Sequence, residues 1–107
     1  MKTEDRIQQE IVQYYQNKYC LKHHNPRCLI AHVPNQNQQH LVRIGVLTGF
    51  SDLILIHFGE VLFVEVKTEK GTQSEKQIEF QERVEKNGFK YFIARSVKDL
   101  QDYLDRL

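Results

Sequence analysis

Two short apolar runs, Leu53-Ile54-Leu55-Ile56 and Val61-Leu62-Phe63-Val64, lie on either side of Gly59-Glu60 and constrain this chain more than any other feature. Residues 52–58 and 61–67 read as two strands joined by a two-residue turn, and Gly59 at the first central position suits a type II′ hairpin. Pairing Phe58 with Val61 and counting outward sets Ile54 opposite Glu65 and Asp52 opposite Lys67. Opposed residues share a face, so Asp52, Glu65 and Lys67 all project from one side of the hairpin. The remaining positions are apolar on both faces, apart from His57, which is the pattern of interior strands.

Charges in such surroundings need a reason. An unpaired buried ion costs on the order of several kcal/mol, a large share of the roughly 5–15 kcal/mol that stabilises a small domain. A salt bridge from Lys67 to one carboxylate would leave the other acid over, whereas a divalent cation would use both. The charged residues therefore mark a functional cluster at the strand ends, open to solvent on one side.

The 107 residues are enough for one domain, expected to occupy 1–107 as a stand-alone unit. With 40% hydrophobic and 27% charged residues, no long apolar run and no signal-peptide pattern at Met1-Lys2-Thr3, the expectation is a soluble cytoplasmic protein without a membrane partner. A formal charge of +1 is too small to coat nucleic acid, so such binding would rest on a local patch, for which Arg27, His40, Arg43, Lys67 and Lys70 are available. Cys20 and Cys28 read as free thiols. Their spacing to His23, His24 and His32 admits a zinc site, but Cys28 and His32 fall in an apparent strand with no turn to wrap a metal.

Along the chain the order is helix, strand, long loop, hairpin, helix, strand, helix. The first helix is expected over residues 4–19, capped by Thr3, with Ile7, Ile11, Tyr14 and Tyr15 inward. Glu10 lies beside that stripe and is placed to reach the site, or else to turn to solvent near Lys2 or Arg6. Residues 28–33 form a strand, followed by the amide-rich loop that begins at Pro34, where His40 and Arg43 suit phosphate contact. Ser74 and Gln77 make a capping box for a helix that turns Ile78, Phe80 or Gln81, and Val84 inward and ends at Asn87-Gly88. The strand over residues 89–94 must then run parallel to the second hairpin strand. Ser96 and Asp99 open a last helix with Val97, Leu100, Tyr103, Leu104 and Leu107 inward.

A helical Glu, an Asp at a strand start and Glu-x-Lys in the next strand resemble the PD-(D/E)XK restriction-endonuclease-like nucleases. Within these, the order Arg43-x-Gly45, Gly49-Phe50-Ser51-Asp52, Phe63-Val64-Glu65-Val66-Lys67-Thr68, Lys70-Gly71, Ser74-x-x-Gln77 and Gly88 is similar to the virus-type replication-repair nuclease domain, VRR-NUC. Ser51 departs from the proline usual before the aspartate. The resemblance implies an α/β fold of the α+β kind: a mixed sheet in a restriction-endonuclease-like αβββαβ core with an additional C-terminal helix.

The resemblance also implies a site. Asp52, Glu65 and the main-chain carbonyl of Val66 would bind Mg2+, with Mn2+ able to substitute, and Glu10 would contribute directly or through water. Lys67 would position the attacking water and offset phosphate charge, and Gln77 would orient the lysine or the water. The implied activity is hydrolysis of DNA phosphodiesters by a structure-specific endonuclease similar to Holliday-junction resolvases. Its partner is branched or four-way DNA and its assembly a homodimer, and a phage or prophage origin suits a solitary domain. His40, Arg43 and Lys70 are the candidate DNA contacts. The competing readings are a non-catalytic nucleic-acid-binding protein and a restriction-type nuclease whose loop amides, from Asn35 to Gln39, read base edges.

Overall fold

In the computed structural model, which describes residues 2–20, 25–34, 45 and 47–107, the apolar runs form the centre of a four-stranded mixed sheet in the order β1-β2-β3-β4. The strands are β1 (Cys28–His32), β2 (Leu53–His57), β3 (Glu60–Val66) and β4 (Lys90–Ala94). The helices are α1 (Glu4–Tyr15), α2 (Glu75–Lys86) and α3 (Val97–Asp105). As the short crossover demands, β4 pairs parallel with β3, while β1-β2 and β2-β3 are antiparallel. Among the described residues no helix is long and apolar enough to cross a membrane.

Alternation along the strands decides which helix covers which face. Leu53, Leu55, Leu62, Val64, Val66 and Ala94 point to the side where α1 contributes Ile7, Ile11 and Tyr15 and α3 contributes Leu100 and Leu104. Phe63, Tyr91 and Ile93 point to the other side and meet Phe80 and Val84 of α2, with Phe50 closing that smaller core. Between Phe80 and Gln81, Phe80 is therefore the inward residue. Ile78 and Leu107, expected inward, are 42% and 45% exposed, because the first lies on the solvent side of α2 and the second beyond the end of α3. α1 stops at Tyr15, short of the expected 19, and the chain continues through a wider π turn over Gln16–Cys20.

The hairpin register differs from expectation by two residues. His57 pairs with Glu60 and Leu53 with Val64, so the turn residues are Phe58 and Gly59. Both have positive φ, 50° and 87°, the signature of a type I′ turn and not of type II′. Neighbouring contacts favour this register over the one suited to Gly59 alone. β1 pairs Cys28 with His57, the Phe58 N–H donates to the Arg27 carbonyl at 3.1 Å, and the Arg27 guanidinium sits 5.9 Å from the Phe58 ring centre. A slip of two keeps every side chain on its face, whereas a slip of one would have exchanged them.

Candidate active site

Continuing the observed register one step past Leu53 places Asp52 across from Glu65, closer than the expected pairing with Lys67. Ser51 is fully buried, its hydroxyl donating to the Leu53 carbonyl at 3.1 Å, and this braces the chain just before Asp52. Asp52 Oδ2 accepts the Val66 N–H at 2.7 Å, so one carboxylate oxygen is tied to the peptide of β3. The Val66 side chain turns into the opposite core, as expected of a residue offering only its main chain. Glu65 is 1% exposed and Lys67 is 8% exposed, with Lys67 Nζ 4.0 Å from Glu65 Oε2.

The ammonium does not neutralise Glu65. Its carboxyl is pushed up to about 9, first by burial, then by the hydrogen bond and negative charge of Asp52, and Lys67 opposes these only in part. Near neutral pH, Glu65 therefore holds its proton unless another positive charge arrives. A hard divalent cation fits this arrangement, because oxygen donors hold it and its charge relieves the repulsion of a buried acid pair. Among the described residues no group of three or more His, Cys, Asp or Glu side chains converges, so the fit is with two carboxylates and main-chain oxygen.

Gln77 joins the site from α2 and its two expected roles coexist. Its Oε1 accepts the Ser74 N–H at 2.8 Å, completing the capping box with the Gln77 N–H on Ser74 Oγ at 3.2 Å. That turns Nε2 toward Glu65 Oε2, at 3.0 Å. Gly49 allows the loop before Asp52 to close on the same turn of α2. A Cβ added there would fall on the Lys76 main chain, and its φ of 88° also favours glycine.

Glu10 is placed elsewhere. Its carboxylate pairs with Lys2 at 2.8 Å and Arg6 at 3.4 Å, and the Lys2 hydrogen bond leads in holding it below the ordinary glutamate range. It lines a cavity of about 390 Å3 with Glu69, Arg95 and Lys98, not the acid pair. The α1 carboxylate whose negative charge reaches Glu65 is Glu4, in the first helical turn. Sequence reasoning assigned Glu4 to the helix terminus, and only the packing of α1 across the sheet shows where that terminus points.

Two further residues were missed. Tyr91 Oη lies 3.5 Å from Glu65 Oε1, and its position two residues before Ile93 on β4 carried no polar signal. Arg95 donates to the carbonyls of Thr68, Glu69 and Gly71 at 2.7, 3.2 and 2.8 Å, fastening the turn that follows Lys67. Lys70 is exposed on that turn. His40 and Arg43, and the His23 and His24 of the zinc alternative, lie outside the described residues. Cys20 and Cys28 are free thiols.

Comparison with known proteins agrees with this architecture. No curated protein matches the sequence. A solved structure described as a VRR_NUC domain protein superposes with a TM-score of 0.80 at 21% identity, over 99% of this chain and 88% of its own. Another, described as a VRR_NUC domain, gives a TM-score of 0.68 at 21% identity, covering 97% of each chain. These likenesses establish the fold. The family model of the VRR-NUC domain matches residues 2–98, nearly the whole sequence, and the chain therefore belongs to the VRR-NUC domain family.

Proposed function

We propose that this chain is a divalent-metal-dependent DNA endonuclease that cuts branched DNA, four-way junctions above all, and works as a homodimer. Family membership makes it a nuclease-type domain with DNA as its class of partner. The observation that supports the metal dependence is the Glu65 carboxyl, 1% exposed and pushed up to about 9 beside Asp52. Such a pair costs stability and has no structural use that an apolar residue would not serve better.

The chain's own residues divide the work. Asp52, anchored through Oδ2 on the Val66 N–H, and Glu65, held through Oε2 by Gln77, would present oxygens to the cation. Mg2+ in that place, or Mn2+ in substitution, would polarise the phosphodiester and acidify water at the site. Lys67 supplies a positive charge at the acid pair, suited to positioning the nucleophile and to offsetting charge that builds on the phosphate. Glu4 adds negative charge from α1, the helix that also carries Glu10. Lys70, exposed on the turn after β3, is suited to a backbone phosphate, as are His40 and Arg43 by residue type. One acid pair serves one strand, so paired cuts across a two-fold junction call for two copies related by a two-fold axis.

The test is cleavage of linear duplex, flap and four-way junction DNA in Mg2+, comparing wild type with Glu65→Gln and Lys67→Ala. Junction cleavage by wild type, lost in both variants, is the expected outcome. Equal cleavage by the variants, or binding without any cutting, overturns the enzymatic reading. Cutting at one short sequence regardless of branching replaces the junction with a restriction-type substrate.

A further inference from the structure

A directed chain of hydrogen bonds runs from the surface of α2 to the buried oxygen of Glu65 that Gln77 does not touch. It begins at Glu85, whose carboxylate only accepts when ionised, so Gln81 must turn Nε2 toward it, at 3.4 Å. Gln81 Oε1 then faces Gln73 and accepts from its Nε2 at 2.9 Å. The second hydrogen of the same Gln73 amide goes to Tyr91 Oη, at 3.2 Å. Having accepted there, the phenol is left to donate, and the acceptor beside it is Glu65 Oε1, at 3.5 Å.

Tyr91 is 8% exposed and packs among Phe80, Val84, Phe63 and Ile93, so its ring has little freedom to leave. Each Glu65 oxygen thus has its own donor, Gln77 on Oε2 and Tyr91 on Oε1, and the two donors come from different elements. Among the described residues no buried side-chain polar atom lacks a partner, so the network is complete as it stands. Once a cation takes the place of its proton, a Glu65 carboxylate gripped at both oxygens cannot rotate about its last bond without losing one of them.

We infer that Tyr91, oriented by Gln73, is a positioning residue that locks the Glu65 carboxylate in the rotamer facing Asp52 and so sets the affinity of the pair for a divalent cation. This rests on the reading of Asp52 and Glu65 as the cation-holding pair. Residues behind a metal ligand commonly change metal affinity by about 10–100-fold when removed. Loss of the phenol oxygen should act in that range, on the cation and not on the fold.

The experiment measures Mn2+ binding by calorimetry to wild type, Tyr91→Phe and Gln73→Ala, together with their melting in EDTA and the Mg2+ dependence of cleavage. The expected result is a Mn2+ dissociation constant raised at least ~10-fold in Tyr91→Phe, with the Mg2+ concentration for half-maximal cleavage raised in step. Cleavage at saturating Mg2+ and melting in EDTA should stay close to wild type. Gln73→Ala should shift affinity the same way by less, and it decides the matter if Tyr91→Phe fails to fold, since Gln73 is only half-buried. Wild type that binds Mn2+ with variants that bind it equally well overturns this inference alone. Wild type that binds no Mn2+ overturns the metal reading first and this inference with it.

Discussion

The two ends of the β2-β3 hairpin both bury titratable side chains, and they do so to opposite effect. At the closed end His57, 8% exposed, sits 2.8 Å from the hydroxyl of the fully buried Tyr15. The same hydroxyl reaches the Ile56 carbonyl at 3.1 Å, so Tyr15 ties both the ring and the backbone at this end of the hairpin. Burial pushes the His57 ring below its ordinary value and the Tyr15 phenol above its own, and both neutral forms are thereby favoured. At the open end two acids face each other, and burial alone cannot satisfy them. Burial of neutral partners is stable as it stands, whereas burial of two neighbouring acids is relieved only by a proton or another positive charge.

The contrast breaks most sharply at Glu65. Replacing it with Gln should lower cleavage by about 10²–10³-fold or more, while leaving the metal-free protein more stable above neutral pH, because an amide has no proton to lose. A nuclease assay and denaturant melts in EDTA check both, and a destabilised Glu65→Gln would contradict the picture of a strained acid pair. The two ends also respond to pH in opposite senses. The Glu65 folded value of about 9 stands above 4.5, so its contribution is full below 4.5 and is lost as pH rises through 9. The loss reaches about 1.4 kcal/mol per pH unit where one whole proton is released. His57 is shifted downward, so its contribution is full above 6.5 and is lost as pH falls through its lowered folded value. Melts across pH in EDTA should show both limbs, with Mg2+ or Glu65→Gln flattening only the alkaline one.

Smaller effects sharpen the same division. Gly49→Ala forces a Cβ onto the Lys76 main chain at a left-handed φ and should cost about 1–3 kcal/mol, with cleavage falling because the Gln77 turn must shift. Tyr15→Phe strands His57 Nδ1 and should cost about 1–3 kcal/mol in a denaturant melt, yet leave the Mg2+ dependence of cleavage unchanged. Last, Glu4→Gln should alter the Mg2+ dependence more than Glu10→Gln does, since Glu10 is occupied by Lys2 and Arg6. A larger effect at Glu10 would return that residue to the site.

Much of the site was legible because strand alternation survives an error of two. The turn was misread, since Gly59 looked like the first central residue while contacts from β1 and Tyr15 made Phe58 carry the positive φ. Asp52, Glu65 and Lys67 nevertheless kept a common side. The Ser74 and Gln77 box was legible from spacing, but its consequence, an amide turned onto Glu65, required the neighbouring strand. Glu10 kept two readings, the site or solvent near Lys2 and Arg6, because helical periodicity reports which face a residue shares and not which end of the sheet it approaches; in the structure it pairs with Lys2 and Arg6. Tyr91 and Gln73 were invisible, one as a routine strand aromatic and the other as a loop amide.

Local pattern determined the elements, the mixed sheet and the set of charges out of place in an interior hairpin, because periods of two and of 3.6 are properties of the chain itself. Tertiary structure decided the register, the α1 carboxylate that Glu65 feels, and the pair of donors that grips Glu65. Those depend on segments distant in sequence arriving at the same few ångströms, where low dielectric and close approach turn ordinary side chains into a strained acid pair.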